Sequence, residues 1–215
     1  FKWDDEYKYN RGKVLNKEDL DEIENFGRYL DVDNDGICYR TYPGTHPEKG
    51  AFFTRGTSHD EYARYTEDGE VNAATLSRLM KKFRTASELV PEPVIEINGE
   101  DSCGVIFYGS TSPAVHEAKD ILKEKEINID LMQIRSFPFN LDVWEFIANH
   151  DRIYVVEQNR DSQMRTLIMA EGGISPEILR PLVHFTGDPI QASYIVNKIS
   201  EREVNYKSHI NAKKR

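Results

Sequence analysis

Asp31, Asp33 and Asp35 in the stretch DVDNDGICYR alternate and are followed by Gly36, the spacing that opens a calcium-binding loop. Such a loop holds a hard cation with oxygen donors and is completed by a bidentate glutamate at its twelfth position. Counted from Asp31, that position is Tyr42 and the ninth is Tyr39, so the completing ligands are missing. Two readings remain. Asp31, Asp33 and Asp35 hold a weakly bound cation with water and backbone carbonyls, or Asn34 and Asp35 make a tight turn ahead of Gly36. The turn is the expectation, with the cation kept as the alternative.

Three further clusters carry chemistry-bearing side chains. GSTSPAVHEA, from Gly109, sets a glycine and hydroxyls at the start of a helix, a place that can bind phosphate, but it has neither GxGxxG nor a Walker lysine. A well-capped strand-to-helix turn explains it better. Glu157, Gln158, Asn159 and Arg160 in EQNRD crowd hydrogen-bonding groups into one turn, which suits either an interface to another chain or a loop saturating its own backbone. His46, Arg55, His59 and Arg64 lie in a long irregular stretch, where Arg55 and His59 can meet an anionic ligand or a neighbouring subunit. For each of these residues taken singly, pairing with Asp60, Glu61 or Asp68 is the plainer expectation. No HExxH and no nucleophile elbow is present, and no catalytic or cofactor-binding residue is assigned.

The bulk numbers narrow the classes. A net charge of -9 opposes binding to nucleic acid or an anionic membrane surface, because both need a positive footprint. Eleven Tyr and 10 Phe argue against disorder. The 2 cysteines, Cys38 and Cys103, form no CxxC and suit buried thiols in a reducing cytoplasm. No apolar run approaches transmembrane length. The chain begins FKWDD, without an initiator methionine, and is read as a piece of something longer.

These residues are positioned by two unlike regions. In 1–90, Leu20, Ile23, Phe26 and Leu30 follow helical spacing behind Asn16 as N-cap, and Leu76, Leu79, Met80 and Phe83 share one helical face. PEP at 91–93 breaks the chain, and a domain boundary is expected there. In 94–200 the pattern alternates: GVIFYGS, IDLMQIRSF, RIYVVEQ and LRPLVHF read as buried strands, each followed by a helix. Ser112 is expected as the N-cap of the first of these helices, and Gly172 closes the third. The fold class is α/β, a mainly parallel doubly wound sheet preceded by a smaller helix- and loop-rich segment, with 201–215 a polar tail.

Taken together, RGKVLNKEDL, FGRYLDVDNDGICYRTYPGTHP, GAFFTRGTSHDEYARYTED, GSTSPAVHEA, IRSFPF and YVVEQNRDSQMRTL resemble the alpha-subunit family of 2-oxoglutarate:ferredoxin oxidoreductases, over its C-terminal third or so. That resemblance implies a transketolase C-terminal-like domain for 94–200 and, for 1–90, the tail of a thiamine-pyrimidine-binding domain with its connection. It also implies an enzyme turning a 2-oxoacid and coenzyme A into acyl-CoA and carbon dioxide, with thiamine diphosphate, magnesium and iron–sulfur clusters in the holoenzyme. The partners implied are a beta subunit and ferredoxin within an oligomer. The family's YPITP and RGGPSTGxPT-like segments are absent from this stretch, so it is expected to bind no cofactor, to be inactive alone, and to serve subunit assembly and support of the thiamine site. The alternative is a free-standing α/β module binding a phosphorylated or acidic small molecule.

Overall fold

The computed structural model describes residues 4–50, 58–99 and 103–213. Two compact units divide the chain, 1–89 and 90–215, and different forces hold each together.

In the second unit five strands form one sheet: β1 (Val94–Glu96), β2 (Cys103–Tyr108), β3 (Ile129–Ile134), β4 (Ile153–Glu157) and β5 (Leu179–Val183). Their order is β1-β3-β2-β4-β5, with β2, β3, β4 and β5 parallel and β1 antiparallel on β3. Helices α3 (Ser112–Glu124), α4 (Leu141–Ala148), α5 (Gln163–Gly172) and α6 (Ala192–Lys213) cover both faces. Side chains alternate along each strand, so Val105 and Phe107 join Val115, Leu122, Ile195 and Ile199 of α3 and α6. Ile106 on the other face joins Val143, Phe146, Ile147 and Ile168 of α4 and α5. A sheet covered twice needs continuous apolar runs, and CGVIFY and IYVVE supply them. The chain leaves β2 for β3 on one side and returns to β4 on the other, so the winding reverses between β2 and β4. The mainly parallel, doubly wound α/β class is as expected.

Details at the ends of elements differ from expectation. A 3-10 turn, Gly109–Thr111, runs into α3, so Ser112 is already helical and Thr111 precedes it as cap residue. Gly172 is the last residue of α5, and Gly173, at φ 61, makes the left-handed closure. The short antiparallel β1 went unforeseen because three residues between PEP and an Asn-Gly pair carry too little alternation. Residues 201–215, expected as a polar tail, continue α6 through Lys213. Polar burial explains that extension: Glu203 is buried and accepts two hydrogen bonds from Arg152 Nε, at 3.1 and 2.9 Å, and one from Tyr154 OH at 2.8 Å. Arg152 also lies over the Tyr206 ring, 4.3 Å from its centroid.

The outer edge of the sheet is closed by side chains. Arg165 Nε donates to Leu179 O at 2.6 Å, Arg202 Nη1 to Pro181 O at 2.9 Å and Tyr194 OH to Val183 O at 2.8 Å. Alternate carbonyls of β5 are thus taken, and Pro181 has no N–H to offer, which blocks strand addition.

The first unit has α1 (Lys17–Glu22) and α2 (Gly69–Ser87). A reciprocal capping box starts α1, Asn16 Oδ1 accepting from Asp19 N and Asp19 Oδ2 from Asn16 N. Leu20 alone among the unit's described apolar side chains is buried. None of the residues of α2 is buried, and Leu76, Leu79, Met80 and Phe83 are exposed. Polar contacts hold α2 instead: Arg78 donates to Gly36 O at 3.0 Å and Thr85 to Asp35 O at 2.6 Å. Gly36, at φ 79, lies so close that an added Cβ would stand 2.4 Å from Lys82 N. No helix of the described residues is long and apolar enough to cross a membrane.

Removing the Glu203 carboxylate takes the buried anion away from the buried Arg152 guanidinium and leaves the Tyr154 hydroxyl with only the longer contact from Arg180, at 3.4 Å. Glu203→Ala is expected to cost about 3–5 kcal/mol of stability, read as a lower denaturant midpoint with an unchanged slope.

Candidate functional site

Ligands and partners of doubly wound sheets meet the carboxyl ends of the strands where the winding reverses, here the ends of β2 and β4. Two of the sequence clusters converge there. Gly109 follows β2 in a left-handed conformation, φ 57, and aims Ser110 and Thr111 towards the end of β4. Gln158 Nε2 donates to Ser110 Oγ and Thr111 Oγ1, each at 3.3 Å, while its Oε1 accepts from Ile190 N at 3.2 Å. One amide side chain therefore ties together the loops that follow β2, β4 and β5.

Glu157 and Asn159 face inward from the same turn. Glu157 is fully buried and accepts from Met164 N at 2.8 Å, Arg165 N at 3.0 Å and Asn159 Nδ2 at 2.7 Å. Its carboxylate caps α5, whose partial positive end favours an anion there. Asn159 Oδ1 accepts from Asp161 N at 3.1 Å and Gln163 N at 3.2 Å, so a side chain from outside the helix does the work of its cap residue. Ser162, at that cap position, is left-handed with φ 51 and makes no side-chain cap bond. Tyr108 OH lies 3.5 Å from Asn159 Nδ2; burial, then the charge of Glu157, pushes its phenol up. Arg160 points outward, 74% exposed, and pairs with Asp161 at 2.7 Å.

Of the four turn residues singled out in the sequence, Glu157 and Asn159 satisfy local backbone and Gln158 braces neighbouring loops. Glu157 is buried and its carboxylate is taken up by the start of α5. Arg160 is left as the side chain presented to solvent. The bracing role of Gln158 had no sequence signal, because its partners are 47 and 48 residues away.

The acidic loop holds a cation that belongs to the chain itself. Lys13 Nζ donates to Asp33 at 2.7 Å, Asp35 at 2.6 Å and Ile37 O at 3.0 Å. Asp31 turns the other way, its Oδ1 accepting from Asp35 N at 3.0 Å and Gly36 N at 2.9 Å, while Lys81 lies 3.4 Å from its Oδ2. This geometry matches the turn reading, with a lysine added. An ammonium occupies the place a metal would need, and the third carboxylate is spent on the backbone. Among the described residues no group of three or more His, Cys, Asp or Glu is arranged to hold a metal ion. Burial works against charge on Lys13, but the hydrogen bonds and charges of Asp33 and Asp35 outweigh it and raise its affinity for the proton. Its hydrogen bonds hold Asp33 and Asp35 below the ordinary carboxylate range in turn.

His59 stacks on Tyr29, centroids 3.9 Å apart, with Nδ1 3.0 Å from Asp60 O. His46 Nε2 faces Asp21 at 3.2 Å, and its Nδ1 accepts from Glu48 N and Lys49 N. Both rings are engaged within the first unit, and Arg55 lies outside the described residues. The cysteines do not fit an iron–sulfur cluster, which needs several thiolates together. Cys38 and Cys103 stand in different units, and burial pushes the Cys103 thiol up to about 12.

No family profile matches the chain. It is 27% identical over 195 residues to subunit alpha of 2-oxoacid:ferredoxin oxidoreductase 2 of Aeropyrum pernix, covering 88% of this chain and 28% of that protein. It is also 27% identical over 191 residues to subunit alpha of 2-oxoacid:ferredoxin oxidoreductase 1 of Sulfurisphaera tokodaii, covering 86% and 28%. Among solved structures it is similar to the 2-oxoglutarate:ferredoxin oxidoreductase of Magnetococcus marinus, with 2-oxoglutarate, coenzyme A and succinyl-CoA bound. That match has a TM-score of 0.73 and 23% identity over 84% of this chain and 31% of the other, a likeness of fold. The chain spans little more than a quarter of the length of the relatives it matches.

Two outcomes follow from this geometry. Glu157→Ala uncaps α5 and should cost about 3 kcal/mol, whereas Arg160→Ala should stay within about 0.5 kcal/mol of the parent; thermal melts of the two variants check the contrast. For Asp33 and Asp35 the folded-state values lie below the unfolded ones, so their stabilising contribution is present above the ordinary carboxylate range and lost as pH falls through the depressed values. Carbon-detected NMR titration should show both carboxyls titrating low, and Lys13→Met should move both upward.

Proposed function

We propose that this chain is part of the alpha subunit of a thiamine-dependent 2-oxoacid:ferredoxin oxidoreductase, with 2-oxoglutarate as the 2-oxoacid. What carries the reading is the similarity to alpha subunits over 195 residues, a span longer than either unit and therefore reaching into both. Residues 94–200 are then a transketolase C-terminal-like domain. Residues 1–90 are the tail of a pyrimidine-binding domain and its connection. The relatives' names supply a 2-oxoacid and ferredoxin, and the family resemblance supplies the rest: a 2-oxoacid and coenzyme A give acyl-CoA and carbon dioxide, and two electrons pass to ferredoxin. Thiamine diphosphate, magnesium and iron–sulfur clusters are assigned to other segments and subunits, because two cysteines in different units cannot make a cluster site and the resemblance carries no thiamine-binding segment into this stretch. The beta subunit and ferredoxin are the partners, and the assembly works in the cytoplasm.

In this reading the chain's own residues build rather than react. Gln158 fixes three loops into one edge, Glu157 and Asn159 hold α5 against it, and the exposed Arg160 presents a planar donor to a carboxylate on a neighbouring subunit or domain. The test is an assembly purified from native cells through a tag on this chain. It should reduce a viologen dye only when 2-oxoglutarate and coenzyme A are both supplied. The isolated chain, given thiamine diphosphate and magnesium, should do nothing. Dye reduction independent of coenzyme A, or activity of the isolated chain, would contradict the proposal.

A further inference from the structure

We propose that His150 is a pH-sensitive latch on the β1 edge of the sheet, closed while its ring carries protons on both nitrogens. β1 has little else to hold it: three residues long, it pairs with β3, and Val94 and Ile95 are exposed. The chain leaving it is fastened by Asn98, whose N donates to Asp130 Oδ1 at 2.7 Å and whose Nδ2 donates to Ile129 O at 2.8 Å. The second oxygen of Asp130 lies 3.1 Å from His150 Nε2, both side chains being 5% exposed. The other ring nitrogen, Nδ1, lies 2.6 Å from Phe146 O.

Both nitrogens therefore face acceptors. A backbone carbonyl only accepts, so Nδ1 carries a proton. Two lone pairs facing each other at the buried Nε2–Asp130 contact would repel, so a proton lies there too, and the imidazole, the stronger base, takes it. The surrounding charges agree. Asp130 faces the ring from β3, while Asp142 and Glu145 of its own helix line the cleft beside it with Ile95 and Ile97, and no lysine or arginine lines that cleft. From β2 the ring meets Gly104, which brings no charge. Once the ring loses its second proton, Nε2 turns a lone pair on Asp130 and the latch opens, so its contribution to stability is lost as pH rises.

Across the sheet, His116 of α3 repeats the pattern, with Nδ1 2.8 Å from Ser112 O and Nε2 3.2 Å from Glu96 of β1. That ring is 39% exposed, and Glu96 also accepts from Lys119 at 2.7 Å, a bond that holds its carboxyl below the ordinary range. Lys119 keeps a cation there whatever the state of His116, which makes His116 the control. The latch belongs to the fold of this unit and stands independently of the enzymatic reading.

NMR of the full chain across a pH series tests it. Nitrogen shifts of His150 should report two ring N–H groups on the acid side of its titration and Nδ1–H alone on the alkaline side. Across the same midpoint the exchange protection of the Asn98 amide, corrected for intrinsic exchange, should fall at least about tenfold, with β2 and β4 unchanged. This co-titration is read on the unaltered chain, so it decides the matter even where a variant fails to fold. His150→Gln should abolish the step, and His116→Gln should leave it in place. Asn98 protection that does not follow the His150 ring overturns the inference. A His150 ring with one N–H throughout overturns it, as does a step that survives His150→Gln or vanishes with His116→Gln.

Discussion

A single buried carboxylate fixes the edge of the α/β unit on which everything presented there depends. Glu157 ends the interior strand β4 with no exposed surface, and two backbone N–H groups of α5 and the Asn159 amide converge on it. A charge buried without such partners would be costly; buried with them, it locks the start of a helix to the end of a strand. The left-handed backbone at Ser162 is tolerated because the turn is determined from both sides. From there the constraint spreads through Gln158 to the loops after β2 and β5. The edge at the reversal of winding is therefore a braced platform.

The two units show two ways of holding a chain. Residues 103–199 bury apolar side chains on both faces of a sheet, and a charged cluster around Glu203 fastens the last helix over one of them. Among the described residues of the first unit Leu20 is the buried apolar side chain, and ions and caps recur: Lys13 within the acidic loop, the Asn16–Asp19 box, and Arg78 and Thr85 on the loop backbone. Exposed ion pairs contribute little each.

The legibility of the sequence follows the same division. Strands and helices of the second unit were readable because burial on two faces imposes continuous apolar runs and glycine stops. What escaped were effects of distant residues. Burial of Glu203 turned an expected tail into helix, and a lysine 18 residues before Asp31 filled the loop that looked ready for calcium. The helical face of Leu76, Leu79, Met80 and Phe83 was read correctly as a face, yet periodicity could not say that each of these side chains would stay more than a third exposed. In the turn at Glu157 the residue types were conspicuous, but only their directions separate capping, bracing and presentation.

Native-state hydrogen exchange tests most directly whether Glu157 is the fixed point of this edge. The amides of Met164 and Arg165, in the first turn of α5, would exchange readily if water were their partner. Bonded to the buried carboxylate, they should be protected as strongly as the central strand amides of β2 and β4, exchanging only when the whole unit opens. Exchange of these two amides at the rate of exposed loop amides, with the strands still protected, would contradict it.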